Sequence, residues 1–270
     1  MKKVFLYLMI VNFIFANVTN LKGTYEVTYG FFGKMGEAKT SIKVDANNNY
    51  TIHIKAYATG FASSISGGLT ETYISKGKVI DGKFRPNTFS KATVENNKKK
   101  YYFYTFDYNK KQITKEYRRE KKVFETKLDI NDISSYARKR ESHWKKSHSK
   151  KTLDFWTNED ILSLFFNIKD KIKSFPKGVK RHLTAVGAGE TKKGRIDILV
   201  PSGNEYKQLK ESLDIEGTNN IFFKVFVYNK LFASKKGELY MSLDKDGLCN
   251  KSMLKDVLFF GDVEGVLKRD

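Results

Sequence analysis

The sequence predicts a mainly β protein of the α+β class: a curved antiparallel sheet, or an incomplete β-barrel, with one packed amphipathic helix. Three observations support this prediction. Short segments in which apolar and polar residues alternate recur along the chain, as half-buried strands require. Turn residues separate these segments at short intervals, and no alternation of strands with helices indicates a parallel sheet. One stretch alone, residues 157–174, has clear helical periodicity.

The N-terminal residues predict export. Two lysines precede an apolar run over residues 4–15, and Ala16 supplies a small residue at a plausible cleavage position. This run is shorter than the ~20 apolar residues that a membrane-spanning helix needs. We therefore interpret residues 1–16 as a signal peptide and residues 17–270 as a single β-rich domain of a periplasmic protein, with an uncleaved N-terminal anchor as the alternative.

The next region is predicted to form several strands. From Gly23, the side chains of Tyr25, Val27 and Tyr29 alternate with polar residues. Pro86 favours an edge strand, because proline cannot donate a hydrogen bond to a neighbouring strand. The further predicted strands are residues 36–45, 50–61, 69–75 and 78–80, and residues 62–68 form a small, polar connection or edge.

Residues 98–108 and 112–122 are predicted to form a pair of aromatic and basic strands. Tyr101 and Phe103 alternate with Tyr102 and Tyr104, so both faces of the first strand are apolar or amphipathic. Such a strand is either buried on both sides or offers its rings to a ligand. Residues 130–151 are strongly basic, and we expect them to be partly helical or irregular, and solvated.

The helix of residues 157–174 has a start signal and an apolar face. Thr157 with Asp160 three residues later fits a capping box. The opposite side of the helix is charged, so the apolar face needs a partner, and we expect the helix to plug or cap the curved sheet. The apolar face comprises Ile161, Leu162, Leu164, Phe165, Phe166, Ile168 and Ile172.

Beyond the helix, the pattern predicts strands again. Residues 179–186, 195–200, 221–228 and 237–243 have strand-like patterns, and residues 253–266 are expected to form the closing strands. Residues 206–213 fit either a strand or a helix.

Four segments of the chain resemble a known family. They are YEVTYGFFGKMG at residues 25–36, NEDILSLFFN at 158–167, SKKGELYMSLDKDG at 234–247 and LKDVLFFGDVEG at 254–265. In this order they are similar to the bacterial family called domain of unknown function 3108. The resemblance implies an exported protein with a curved antiparallel sheet or incomplete barrel and an associated helix, broadly similar to lipoprotein-carrier architectures. It implies no catalytic residues.

The sequence contains no motif that predicts catalysis, a metal or a cofactor. Residues 189–196 lack the Lys and the Ser or Thr that a phosphate loop places after its second glycine. His143 and His148 are separated by two lysines, which repel a metal cation. The single Cys249 cannot form an internal disulfide, and we interpret it as a packed side chain. We therefore expect neither an enzyme nor a bound cofactor.

The chain is strongly basic. It has 50 Lys and Arg against 30 Asp and Glu, a formal net charge of +20. A positive field attracts nucleic acid, anionic lipid or acidic glycans, and export makes nucleic acid an unsuitable partner. The alternative is a compositional bias toward Lys, with charges spread over solvated faces. The candidate patch for an anionic surface comprises Lys98, Lys99, Lys100, Arg118, Arg119, Arg138, Lys139, Arg140, Lys145 and Lys146.

These observations favour a periplasmic binding or carrier protein for an amphipathic or lipid-like envelope component, such as a lipid or glycolipid. The concave face of the sheet, covered by the helix, is the expected site. An envelope assembly factor that binds another protein is the first alternative, and a hydrolase that pairs His53 or His182 with a Ser and a carboxylate is the second. The candidate ligand-lining residues are Tyr101, Phe103, Ile161 and Phe165.

Overall fold

The computed structural model describes residues 20–30, 33–128, 138–190, 192–216, 219–227, 237–245, 247–257 and 261–268. The side chains of residues 126–128, 138–140, 227, 257 and 261 are outside this description. The predicted signal peptide, residues 1–16, also lies outside the described residues, so export stays a prediction.

Fourteen strands of the described chain form one antiparallel sheet, which is curved and does not close. The predicted fold class is therefore confirmed. The strands are β1 (Asn20–Tyr29), β2 (Gly33–Val44), β3 (Asn49–Ala58), β4 (Thr70–Ile80), β5 (Lys83–Glu95), β6 (Lys98–Asp107), β7 (Gln112–Leu128), β8 (Arg138–Thr152), β9 (Lys180–Thr184), β10 (Arg195–Leu199), β11 (Ile221–Val227), β12 (Glu238–Leu243), β13 (Cys249–Val257) and β14 (Gly261–Lys268). The helices are α1 (Gly60–Ile65), α2 (Ile161–Lys173) and α3 (Gly203–Leu213).

The connectivity places β1 in the middle of the sheet. Strands β1 to β8 form a meander in which each strand pairs with the one before it. After α2, strands β9 to β14 form a second run of neighbours, and β14 returns to pair with β1, for example at Tyr25 and Leu267. Strands β8 and β9 are consequently the two edges of the sheet.

Helix α2 packs against one face of the sheet and joins two hydrophobic clusters. Leu164 and its neighbours pack against β10 and β11, where Ile196 and Phe223 are fully buried. Leu162 packs with Phe89 and Ile113 of β5 and β7. We call this face of the sheet the helix face and the opposite face the outer face. Because side chains alternate along a strand, each residue's position assigns it to one face.

Helix α2 begins later than the sequence predicted. Its first residue is Ile161, and Asp160, not Thr157, is the N-cap. The Asp160 carboxylate accepts hydrogen bonds from the backbone N–H groups of Leu162 and Ser163, and the Ser163 hydroxyl accepts one from the Asp160 N–H. This is a capping box shifted by one turn. The Thr157 hydroxyl donates instead to the carbonyl of Thr184, 2.6 Å away.

Buried and half-buried hydrogen bonds join α2 to β4 and β5 of the first meander. The Ser75 hydroxyl on β4 donates to Asp160 Oδ2 at 2.5 Å, and Tyr50 on β3 is hydrogen-bonded to Ser75 at 2.9 Å. Asn167 forms two hydrogen bonds with the backbone of Phe84 on β5, one to its carbonyl at 3.0 Å and one from its N–H at 2.9 Å. These hydrogen bonds fix the orientation of the helix, whereas the hydrophobic clusters bury its apolar face.

Two other sequence-based predictions were wrong, those for residues 130–151 and for Pro86, and two segments that the sequence left open are now assigned. Part of the basic stretch 130–151 is the long strand β8, which pairs with β7 over its whole length. Pro86 lies in an interior strand, opposite Gly77 of β4 and next to a register shift between β4 and β5. The small, polar stretch 62–68 contains most of the short helix α1. The ambiguous stretch 206–213 lies in α3.

Candidate functional site

The aromatic strand β6 presents different rings on its two faces. Tyr104 and Phe106 are buried on the helix face. Tyr101 and Phe103 project from the outer face, where 36% and 44% of their surface is exposed. The sequence alternation predicted two unlike faces, and the structure identifies the exposed one.

A groove of about 610 Å³ lies beside these two rings on the outer face. The register explains it, because Ala92 and Ser90 on β5 lie directly opposite Tyr101 and Phe103. Two small side chains next to two large ones leave an open channel between β4 and β6. The groove is lined by Thr72, Ile74, Ser90, Lys91, Ala92, Tyr101, Tyr102, Phe103, Glu116, Arg118 and Glu120.

The groove is apolar along β4 to β6 and charged along β7. Glu116 lies opposite Phe103 and is paired with Lys150, at an N–O distance of 3.2 Å. Arg118 lies opposite Tyr101, and it has no carboxylate partner among the side chains that the structure describes. An exposed ring therefore adjoins the Arg118 guanidinium, which can bind an anionic group bidentately.

The structure separates the four predicted ligand-lining residues into two pairs. Tyr101 and Phe103 line the outer groove. Ile161 and Phe165 belong to α2 and pack against the hydrophobic clusters of the helix face. The side chains of α2 fill the space in which the sequence analysis placed a ligand. The candidate site therefore lies on the outer face, away from the helix.

The predicted basic patch is likewise divided between the two faces. Lys98 and Lys145 lie on the helix face, in one row with Lys121 between them, and Lys100 and Arg119 form the next row. Lys99, Arg118 and Lys146 lie on the outer face. The side chains of Arg138, Lys139 and Arg140 are outside the described part of the structure. The ten cations therefore do not form one surface.

The cations of the helix face lie close to one another and repel each other. Burial lowers the pKa of the Lys100 ammonium, and the neighbouring charges of Lys98 and Arg119 lower it further. The Arg119 Nε atom is buried and has no hydrogen-bond partner in the described part of the chain. Like charges on adjacent strands destabilise a sheet unless an anion compensates them.

The histidines and the cysteine are placed as follows. His182 is hydrogen-bonded to Asp197, which also accepts from Arg195 Nε at 2.8 Å. No serine hydroxyl contacts His182 within the described residues. His143 and His148 lie on opposite faces of β8, so they cannot bind one metal ion together. Burial raises the pKa of the Cys249 thiol to about 12, which keeps it protonated at neutral pH.

Sequence reasoning missed several features around the site. Ser90 and Ala92 were not recognised as the residues that open the groove, although their position opposite two rings follows once β5 and β6 are paired. Two further exposed rings, Phe124 and Trp144, lie on the outer face of β7 and β8. Their detection needed the strand assignment of the basic stretch, which the sequence analysis did not make.

Together, the fold and the groove define a curved antiparallel-sheet protein with an aromatic channel on its outer face. The chain belongs to the family described as "Protein of unknown function (DUF3108)", which matches residues 24–208. Two of the four segments that suggested this family, residues 25–36 and 158–167, lie inside the match, and the other two lie beyond it.

A solved structure of another protein is similar to this chain. It is the crystal structure of a beta-barrel-like protein of domain of unknown function DUF1849 from Brucella abortus, with a TM-score of 0.41 and 9% sequence identity. The similarity covers 93% of this chain and 97% of that chain. No curated protein matches the chain. Among the described residues, no helix is long and apolar enough to cross a membrane.

Proposed function

We propose that this chain is an exported binding or carrier protein that holds an amphipathic, lipid-like molecule in the groove of the outer face. The main observation is the conjunction of two exposed rings, Tyr101 and Phe103, with the guanidinium of Arg118, which no described carboxylate pairs. The volume of about 610 Å³ lies within the roughly 300–1,000 Å³ typical of small-molecule sites.

Each part of the groove has a definite role in this proposal. The rings and Ile74 cover an apolar chain, and burying them removes apolar surface from water. Arg118 binds a phosphate or carboxylate head group at the end of that chain. Glu116 is neutralised by Lys150, so it does not repel the anion strongly. The groove needs no catalytic group, and the proposed role is not enzymatic.

Ligand recovery and binding together test the proposal. Protein purified from its own cells is extracted with organic solvent, and mass spectrometry identifies any amphipathic molecule that accompanies it. A short-chain fluorescent phosphatidylglycerol then serves as a probe. We expect Phe103→Ala and Arg118→Ala each to weaken binding of the probe about tenfold, because a buried ring or a charged hydrogen bond contributes about 1–3 kcal/mol.

Ile80→Ala is the matched control for the ring. Ile80 is 41% exposed at the far end of β4, so its removal changes apolar surface without touching the groove. Equal binding by Phe103→Ala and Ile80→Ala, with no molecule recovered from the native protein, would contradict the proposal.

The open edge β8 favours a second candidate, an envelope assembly factor that binds another protein. This strand is 15 residues long, and the backbone groups along its free edge have no neighbouring strand in the described chain. Such edges can pair with another chain. A photo-crosslinker placed at Ser147 or at Phe103 separates the two functions in cells. Lipid adducts from position 103 support the carrier, and one constant protein adduct from position 147 supports the assembly factor.

A further inference from the structure

One end of the sheet brings α1 next to the basic strands. Helix α1 connects β3 to β4, and the β5–β6 turn lies beside it, with the Asn96 N–H donating to the carbonyl of Gly67 at 2.8 Å. The Lys122 N–H donates to the carbonyl of Asn97 at 2.9 Å, which joins β7 to the same turn. We call this end, comprising α1, the β5–β6 turn and the adjoining parts of β7 and β8, the α1 rim.

The tip of the α1 rim is apolar and uncharged. Phe61 is 62% exposed and Ile65 is 57% exposed, the two largest exposed fractions among the large hydrophobic side chains of the described chain. Residues 56–70 contain no charged residue, although 30% of the whole sequence is charged. A second cavity, of about 290 Å³ and lined mainly by apolar side chains, lies beneath Ile65. Exposed apolar surface of this kind marks a site of interaction.

Cations lie on both faces of β6, β7 and β8, the strands on one side of this tip. Lys98, Lys121 and Lys145 form a row across three strands of the helix face. On the outer face, Lys99 and Lys146 flank Glu120. The cations outnumber the carboxylates in these rows, so the surface has an excess of positive charge close to the apolar tip.

Exposed aromatic side chains lie among the cations of β7 and β8. Trp144 is 37% exposed, and the Lys99 ammonium lies 4.9 Å from the centre of its ring. Phe124 is 43% exposed, with the Lys122 ammonium 5.6 Å from its ring centre. Exposed Trp beside Lys is typical of proteins at the boundary between lipid head groups and acyl chains.

We propose that the α1 rim docks on an anionic lipid surface, with Phe61 and Ile65 entering the acyl layer and the flanking lysines contacting head-group phosphates. A lipid surface fits because it offers apolar depth and diffuse negative charge together, and the uncharged tip offers no charged side chain for specific pairing with a protein. Apolar insertion and electrostatic attraction add to each other in such binding. This inference does not depend on a ligand in the outer groove.

Flotation of the full chain with lipid vesicles tests the docking. Vesicles of phosphatidylethanolamine and phosphatidylglycerol are compared with neutral phosphatidylcholine vesicles at low and high salt. We expect binding to the anionic vesicles alone, weakened by salt. Phe61→Ser with Ile65→Ser, and separately Lys121→Glu with Lys145→Glu, are each expected to reduce binding about tenfold or more.

Matched controls lie at the opposite end of the sheet. Val179→Ser removes an apolar side chain that is 45% exposed, and Lys110→Glu with Lys111→Glu makes the same change in net charge at the far end of β6 and β7. Both are expected to bind as the unmodified chain does. All variants share the same N-terminal residues, so differences in binding come from the substituted positions. Phe103→Ala, which impairs only the groove, is also expected to retain vesicle binding.

A second measurement needs no substitution in the rim. The chain has two tryptophans, and Trp156→Phe leaves Trp144 as the single reporter. Lipids brominated on their acyl chains are expected to quench Trp144 fluorescence when the rim docks. Absent quenching, equal binding to neutral vesicles, or rim variants that bind like their controls would overturn the proposal. So would capture of a constant protein partner by the rim of a chain that binds no vesicle.

Discussion

Asp160 is an unusual residue, since it is a fully buried carboxyl at the start of the central helix. Burial raises its pKa to about 7, although hydrogen bonds from Ser75 and from the backbone of Ser163 and Leu162 partly oppose this rise. The neutral carboxylic acid is therefore favoured in the folded state below neutral pH. In the unfolded chain, the Asp160 carboxyl has the ordinary aspartate pKa of about 3.9.

This difference predicts a pH-dependent contribution to stability. Between about pH 4 and pH 7 the folded state retains a proton that the unfolded state has lost, so raising the pH lowers the free energy of unfolding. Asp160→Asn keeps an acceptor for the helix N–H groups and removes the titration. As the pH rises from about 4 to 7, we expect the free energy of unfolding of this variant to increase relative to that of the native chain by on the order of 1–3 kcal/mol.

Urea denaturation at several pH values measures the effect. Other carboxylates, such as Glu71, have lowered pKa values and contribute in the opposite direction, so the difference between the two proteins is the relevant quantity. A difference that stays constant from pH 4 to pH 7 would contradict the raised pKa of Asp160.

Residue-scale prediction from sequence succeeded where a pattern is local. The alternation of Tyr101 and Phe103 with Tyr104 was visible directly, and so was the clustering of capping residues near Asp160. The choice between Thr157 and Asp160 as N-cap was not local. It depends on the backbone hydrogen bond from Ile161 to Val186, a residue that lies beyond the helix in sequence.

At the scale of single elements, α2 depends on side-chain contacts that fix its position along the sheet. Asn167 satisfies both the N–H and the carbonyl of Phe84, and it also donates to Glu159 at 3.1 Å. The apolar stripe of the helix can slide or rotate slightly without losing its burial. A paired amide with two fixed hydrogen bonds cannot.

Replacing this amide is expected to destabilise the fold. Asn167→Ala leaves two half-buried backbone groups of β5 without their partner, which costs about 2–3 kcal/mol. Asp170→Ala, on the exposed side of the same helix, is the control and is expected to change stability by less than about 0.5 kcal/mol. Chemical denaturation compares them, and similar losses for both variants would show that the amide contacts contribute nothing particular.

Strand β8 shows why some elements were not predictable. Its sequence, RKRESHWKKSHSKKT, is rich in Lys and Ser, which have no preference for strands. The strand exists because β7 provides a continuous partner from Thr114 to Leu128. Pairing between distant segments overrode local propensity here, whereas the stripe of α2 was sufficient to predict a helix by itself.

At the scale of the whole molecule, excess positive charge opposes compaction. The chain has a formal net charge of +20, and the helix-face row of Lys98, Lys121 and Lys145 concentrates part of it. We expect the thermal midpoint to rise when NaCl is raised from about 20 mM to about 200 mM, because salt screens this repulsion.

Two variants with equal net charge separate local from global repulsion. Lys121→Glu with Lys145→Glu relieves the row and is expected to reduce the salt dependence, while Lys110→Glu with Lys111→Glu leaves the row intact. Equal salt responses from both variants would attribute the effect to total charge instead of the row.

The position of the candidate site could not be obtained from sequence at this scale. Periodicity showed that β6 has two usable faces, but it did not show toward which face the sheet curves. Helix α2 shares a hydrophobic cluster with Tyr104, and Tyr101 is exposed on the outer face. The predicted lining set of Tyr101, Phe103, Ile161 and Phe165 therefore mixed a groove with a core.

The pairing of β1 with β14 also determines the order in which the sheet can be completed. Strands β2 to β8 each pair with the strand directly before them in sequence, whereas the second edge of β1 pairs with β14, the last strand described. In addition, the Tyr25 hydroxyl donates a hydrogen bond to the carbonyl of Cys249, which lies 224 positions later in the chain. Contacts this distant slow folding, and an unpaired edge can join another chain. A chain that lacks β14 is therefore expected to expose one edge of its first strand, which another chain or a chaperone can bind.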